Sequence, residues 1–76
     1  METYKLDLHR LRYVDAERSV IEFIEDHWDE DVDLEIITGN SSQMKDLVKI
    51  VLDEYKLTYQ VGDSFGLNMG FIRVEM

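Results

Sequence analysis

The segment Tyr4–His9 alternates apolar and polar side chains, which is the period of a half-buried β-strand. The pattern predicts that its three apolar residues face a core. Its three polar residues, Lys5, Asp7 and His9, are then expected to share the opposite face. An acid and an imidazole two residues apart would therefore lie together near the end of a rigid element.

The remainder of the chain alternates between helical and strand periods. Apolar residues recur at helical spacing over about 14–28 and, most clearly, over 43–55, where Ser41 or Ser42 is the expected N-cap. Further strands are predicted at 34–38, 57–61 and 71–76, with a loop over 62–69 between the last two.

The resulting order, βαβαββ, predicts an α/β fold, a two-layer sandwich with a mixed four-stranded sheet and two helices on one face. Strand–helix–strand crossovers make the first strands parallel, and a short connection makes the last two strands a hairpin. A chain of 76 residues is expected to form a single domain, 1–76, with room for a shallow surface site.

The net charge of −9 is concentrated in one stretch of the chain. Residues 14–35 carry ten acids and one base, whereas residues 1–13 carry three bases and two acids. Because salt screens charges over about 8–10 Å, the first segment need not repel an anion. The chain has no cysteine, which excludes disulfides and thiolate metal sites. With no apolar leader or spanning segment, a soluble cytoplasmic protein without membrane contact is expected.

Two loops are expected to meet at the carboxyl edge of the first two strands, where ligands of open α/β sheets bind. They are 9–12 (His-Arg-Leu-Arg) and 38–42 (Thr-Gly-Asn-Ser-Ser), and the second leads into a helix N-terminus that suits phosphate. The candidate nucleic-acid-binding residues are Lys5, Arg10, Arg12, Thr38, Gly39, Asn40, Ser41, Ser42 and Arg73.

This set of side chains is suited to phosphodiester cleavage, with Asp7 and His9 as the candidate catalytic residues. An imidazole exchanges protons near neutral pH. The carboxylate would orient that imidazole, act as a base toward a ribose 2′-hydroxyl or a water, or hold a divalent ion. One carboxylate and one imidazole are a poor dedicated Mg²⁺ site, so the spacing does not imply a metal cofactor. The same pattern is also typical of a polar strand face that is simply solvated.

Two short segments are similar to the motifs of the small MutS-related (Smr) domain. Residues 6–9 read Leu-Asp-Leu-His, against Leu-Asp-Leu-His-Gly in the family, and residues 38–39 read Thr-Gly, against Thr-Gly-x-Gly. Arg10 and Ser41 stand where the family has its other glycines. The resemblance spans the whole chain in element order. It implies a fold like the C-terminal domain of bacterial translation initiation factor three.

Members of that family are nucleases that nick DNA or cleave RNA, some on messenger RNA at stalled ribosomes. The resemblance thus implies an endonuclease with Asp7 and His9 as its catalytic pair, and RNA or DNA, with the ribosome, as partners. A second interpretation is a non-catalytic module that binds nucleic acid or a ribonucleoprotein through the same face. A third is an adaptor whose acidic helix 14–28 docks on a basic protein.

Overall fold

The computed structural model describes residues 2–62 and 66–76. It contains a mixed four-stranded sheet and two helices, as the sequence predicts. The predicted loop over 62–69 falls partly on residues 63–65, which lie outside the described residues. In chain order the elements are β1 (Thr3–Asp7), α1 (Tyr13–Asp26), β2 (Asp33–Ile37), α2 (Ser42–Glu54), β3 (Thr58–Val61) and β4 (Phe71–Glu75).

The strands lie in the order β1-β2-β4-β3, so the last strand is placed between the second and third. The first two strands are parallel, with Asp7 opposite Ile37, and β4 is antiparallel to both of its neighbours. The carboxyl ends of β1 and β2 therefore share one edge of the sheet, as predicted. The loops that follow these two strands begin side by side.

A single core lies between the helices and one face of the sheet. Both helices and alternate strand residues contribute to it, because each element has one apolar side that must be removed from water. The fully buried side chains include Leu8, Ala16, Val20, Ile24, Leu34, Ile36, Val48, Leu52, Ile72 and Val74. The residues between them on the strands lie on the opposite face of the sheet, here called the open face, where they are half-buried or exposed.

The first strand is shorter than predicted. It ends at Asp7, and the ladder is extended only by the backbone bond from the Leu8 N–H to the Ile37 carbonyl at 2.8 Å. The Leu11 N–H then bonds the Leu8 carbonyl at 3.0 Å, which turns the chain. His9 consequently lies in a turn, and the predicted alternation fails for it because period two holds only while the backbone is extended.

The helices differ from their predicted bounds by one or two residues. Helix α1 ends at Asp26 rather than at 28, and Asp29 beyond it has a left-handed φ of 65° that turns the chain. Helix α2 is capped by Ser41, whose Oγ accepts the Met44 N–H at 3.1 Å. Neither helix of the described chain is long and apolar enough to cross a membrane.

Candidate active site

Asp7 and His9 form a directly hydrogen-bonded pair at the end of β1. Asp7 Oδ1 is bonded to His9 Nδ1 and also accepts the His9 backbone N–H at 3.1 Å. Both side chains are about half exposed, so the pair is open to a ligand from solvent. The alternating pattern predicted that these residues share a face. The turn at His9 brings them into contact, because it folds the imidazole back onto the carboxylate.

Arg10 determines which nitrogen of the imidazole carries the hydrogen. Arg10 Nε donates to His9 Nε2 at 3.2 Å, and a guanidinium has no acceptor. His9 Nε2 is therefore the acceptor of that bond, and in the neutral ring the hydrogen is on Nδ1, directed at Asp7. The three consecutive polar groups form a chain, Arg10 to His9 to Asp7. This chain orients the imidazole, and the lone pair of its Nε2 is engaged by Arg10.

The same contacts lower the pKa of the Asp7 carboxyl below its ordinary value. The largest cause is the side-chain hydrogen bond from His9, followed by the backbone hydrogen bond from the same residue. Partial desolvation opposes these effects, and the charges of His9 and Arg10 support them. Asp7 is therefore held in its ionised form, which is the form that can stabilise an imidazolium.

This lowered pKa predicts how the stability of the protein depends on pH. Because the folded-state pKa of Asp7 lies below its unfolded value, its contribution is present above about pH 4 and is lost as the pH falls through the folded value. Urea titrations of the wild type and Asp7→Asn should show a difference in unfolding free energy at pH 5–6 that shrinks at lower pH. A difference that does not change with pH would show that the carboxylate is not stabilised in the folded state.

A cleft, here called the edge cleft, lies between the loops that follow β1 and β2. Its volume is about 330 Å³. The lining residues are His9, Leu11, Arg12, Tyr13, Thr38, Ser41 and Met44. Four of the sequence-predicted site residues, His9, Arg12, Thr38 and Ser41, are thus brought together around one depression.

Gly39 allows the second loop to approach the imidazole. Its φ of +67° is in the left-handed region, and a Cβ added there would lie 3.4 Å from the Cβ of His9. The N–H groups of Thr38 and Gly39 both donate to the Gly70 carbonyl at 2.9 Å, which ties the loop to the residue before β4. The backbone of this loop is therefore held close to His9.

We expect Gly39→Ala to lower the unfolding free energy by about 1–2 kcal/mol, because an L residue is strained at positive φ. The added methyl would make only an ordinary contact with His9, so backbone strain is the main cost. Gly39→Asn should cost less, since asparagine tolerates this conformation better. The unfolding free energy of both variants is measured by urea denaturation. Equal stability of Gly39→Ala and the wild type would contradict the left-handed assignment.

Most of the hydroxyl groups predicted to bind phosphate have structural partners. Ser41 caps α2, and the buried Thr38 donates its Oγ1 hydrogen to the Gly39 carbonyl at 2.9 Å. Asn40 and Ser42 are exposed beside them. Loop 38–42 therefore holds a backbone conformation, and Asn40 and Ser42 are its exposed candidates for contact with a ligand.

The predicted basic residues lie in two separate places. Arg12 lines the edge cleft and its Nε bonds Asp15 Oδ2 at 3.0 Å, while Arg10 contacts the imidazole. Lys5 and Arg73 lie instead on the open sheet face, in one register row with Glu35 between them. Lys5 Nζ is 3.7 Å from Glu35 Oε2. Asp7, at the end of the open face, bonds His9, which lines the cleft.

Two apolar side chains lie on the open face in the same row as Asp7. Ile37 and Phe71 are register partners and continue the row that begins with Asp7. Both are half-buried, so part of each side chain is accessible. An aromatic ring beside a phosphate site is a platform on which a base can stack. Phe71 lies on this face because the side chains of β4 alternate, and the strand order places it in one row with Asp7.

The second histidine belongs to a different part of the molecule. The His27 ring stacks on Tyr4 with 4.3 Å between centroids, meets Phe23 edge-on, and bonds Glu30 Oε1 through Nδ1 at 2.8 Å. It therefore packs at the start of β1, away from His9. Within residues 2–62 and 66–76, no three His, Asp or Glu side chains are grouped closely enough to hold a metal ion.

The fold and the site together define a mixed-sheet α/β domain with an Asp–His pair at the carboxyl edge of two parallel strands. Comparison with family models, curated proteins and solved structures found no match. Any narrower assignment therefore depends on the chemistry of the site and on the two short motifs at residues 6–9 and 38–39.

Proposed function

We propose that this chain is an Smr-like endonuclease that cleaves RNA, or nicks DNA, by proton transfer at His9. The observation that carries the proposal is the Arg10–His9–Asp7 chain, in which the carboxylate bonds Nδ1 and Nε2 is an acceptor. A histidine oriented in this way is suited to general acid–base catalysis. The finer fold, a two-layer Smr-like sandwich, is part of the same proposal.

With RNA as substrate, the imidazole would act as a general base. Nε2 takes the proton of a ribose 2′-hydroxyl, the 2′ oxygen forms a bond to the adjacent phosphorus, and the bond from phosphorus to the 5′ oxygen breaks. The products are a 2′,3′-cyclic phosphate and a 5′-hydroxyl, whose proton comes from water; the hydroxide left behind takes the proton of the imidazolium, which restores the neutral ring. Asp7 stabilises the imidazolium that forms. DNA would require a water nucleophile in place of the 2′-hydroxyl, so RNA is the favoured substrate.

The two arginines beside the pair supply charge for the phosphate. Arg10 bonds the His9 imidazole and Arg12 bonds Asp15, and all four of these side chains are substantially exposed. Exposed pairs of this kind are worth about 0–1 kcal/mol, so a phosphate can displace either partner. When Arg10 moves to a phosphate oxygen, it also uncovers Nε2. Substrate binding and activation of the base are then coupled through one side chain.

The test is a cleavage assay on end-labelled single-stranded RNA and on supercoiled plasmid DNA, with Mg²⁺ or with EDTA. The Asp7→Ala/His9→Ala double variant, purified in the same way, is the control. Cleavage of RNA by the wild type alone, ending in cyclic phosphate, is expected. Equal cleavage by both proteins would identify a contaminant and contradict the proposal. The EDTA reaction determines whether a metal ion is required.

A non-catalytic module is the second candidate, and a specific observation favours it. Arg10 occupies His9 Nε2 where the related motif has glycine, and the Ser41 hydroxyl is engaged in capping where the motif has its second glycine. Under this alternative RNA is bound and not cut. Arg10→Ala and Arg12→Ala would then each weaken RNA binding. Each would also reduce the slope of log K against log salt concentration by the amount expected for about one lost phosphate contact.

A further inference from the structure

A second concave surface, here called the interhelical groove, lies between α1 and α2. Its volume is about 450 Å³, within the range of about 300–1,000 Å³ that is typical of ligand pockets. Its apolar part is formed by Tyr13, Leu47, Ile50 and the buried Val51. The Ile50 side chain is 59% exposed and that of Tyr13 45%, although isoleucine is among the residues most often buried. These residues form an apolar patch that no part of the described chain covers.

The charges around the groove all have one sign. Its rim carries Glu17, Asp46 and Glu54, and none of the lysines or arginines in the described part of the chain lines it. The bases of α2, Lys45 and Lys49, do not contribute to the lining. An apolar floor with a uniformly acidic rim defines the chemistry of an occupant. It must present apolar side chains and be positively charged around them.

We propose that the interhelical groove binds a basic amphipathic helix of a partner protein. Its apolar side chains would pack against Leu47 and Ile50, and its lysines or arginines would face Glu17, Asp46 and Glu54. Laying an apolar helix stripe into a hydrophobic groove is a common mode of protein recognition. The surrounding opposite charges determine which helices are accepted.

The same charges argue against other occupants. A second copy of this chain, with its net charge of −9, would bring two sets of rim carboxylates together. Nucleic acid and anionic membranes would be repelled by these carboxylates in the same way. The groove therefore differs in kind from the edge cleft, which is lined by Arg12 and His9.

Tyr13 links the two surfaces. It lines both the interhelical groove and the edge cleft, and its hydroxyl donates to Gln43 Oε1 at 2.6 Å, joining the helices. A helix bound in the groove would thus end beside the candidate active site. The groove proposal itself does not depend on catalysis, and its test contains no cleavage step.

The probe is a fluorescent synthetic peptide of about four helical turns, with leucine at i, i+3, i+4 and i+7 and lysine elsewhere. Fluorescence anisotropy measures its binding to the full chain. Two comparison peptides serve as controls. One keeps the leucine stripe and has glutamate in place of lysine, and the other has the same composition in scrambled order. We expect binding of the striped lysine peptide only. Equal binding of the scrambled peptide would show that general charge attraction accounts for the binding, and it would overturn the proposal.

Matched variants locate the binding surface. Asp46→Lys/Glu54→Lys and Glu22→Lys/Asp26→Lys change the net charge equally, but only the first pair lies on the groove. The first should weaken peptide binding by about tenfold or more, and the second by about threefold at most. Equal losses would indicate general charge attraction and contradict a specific groove, and a larger loss for the second pair would assign binding to the acidic surface of α1.

Ile50→Asp tests the apolar floor, with Val14→Asp as its control. Both residues are well exposed on helices, and Val14 does not line the groove. We expect about tenfold weaker binding for the first only, with circular dichroism melts confirming that both variants are folded. Sedimentation of the unliganded wild type tests the competing occupant. A dimer that Ile50→Asp dissociates would assign the groove to a second copy and overturn the proposal.

Discussion

Asp7→Asn is expected to lower the rate of RNA cleavage by about 10²–10⁴-fold while leaving RNA binding close to that of the wild type. The substitution keeps the size of the side chain and removes its charge. Without the carboxylate, nothing beside Nδ1 stabilises the imidazolium that forms when Nε2 accepts a proton. An amide that donates to Nδ1 would also place the ring hydrogen on Nε2, where it would meet the Arg10 N–H.

Single-turnover cleavage and RNA binding by anisotropy, measured on the same protein, separate the two effects. His9→Ala should lose a similar amount of activity, and the double variant should lose little more than either single variant, because residues that act as a unit are not additive. Asp15→Asn is the matched control, since that carboxylate pairs with Arg12 and does not contact His9. Full activity of Asp7→Asn would exclude the proposed role of the pair.

Leu8→Ala is expected to lower the unfolding free energy by about 2–5 kcal/mol. Leu8 is fully buried between the two candidate catalytic residues, and its truncation leaves a cavity in the core. Small domains have only about 5–15 kcal/mol of stability in total, so much of it would be lost. Thermal unfolding followed by circular dichroism should show a midpoint lower by about 10 °C or more.

The same substitution tests whether the core positions the site. At a temperature where Leu8→Ala remains folded, we expect cleavage to fall by about tenfold or more, because a small displacement of a catalytic group has a large effect on rate. Val14→Ala is the control, since this side chain is 65% exposed and should change stability by no more than about 0.5 kcal/mol. Unchanged stability of Leu8→Ala would contradict the burial of this residue.

Much of the architecture could be predicted from local patterns. The apolar stripe at 43–55 predicted α2 to within one residue, because a helix side that must be buried repeats with the period of the helix. The parallel pairing of the first two strands followed from the helix between them, because a helical crossover lets the second strand run in the same direction as the first. The end of β1 was wrong by two residues, because alternation continues in the sequence after the backbone has turned.

The candidate site was predicted less completely than the fold. Sequence spacing placed Asp7 and His9 on one face, and the edge rule placed Arg12 and Thr38 near each other. The hydrogen bond from Arg10 to Nε2 had no sequence signal, because it depends on the dihedral angles of one turn. Tyr13 was not among the predicted site residues, yet it is exposed and lines two surfaces.

The sequence by itself determined the element types, the side of each element that is buried and the edge at which the polar loops emerge. These properties depend on hydrophobic periodicity and chirality, which act between near neighbours along the chain. The tertiary structure alone decided that the imidazole contacts the carboxylate, that Phe71 aligns with Asp7, and that the acidic residues of two helices surround one apolar groove. Those arrangements join residues distant in sequence, and only packing around a common core fixes their positions.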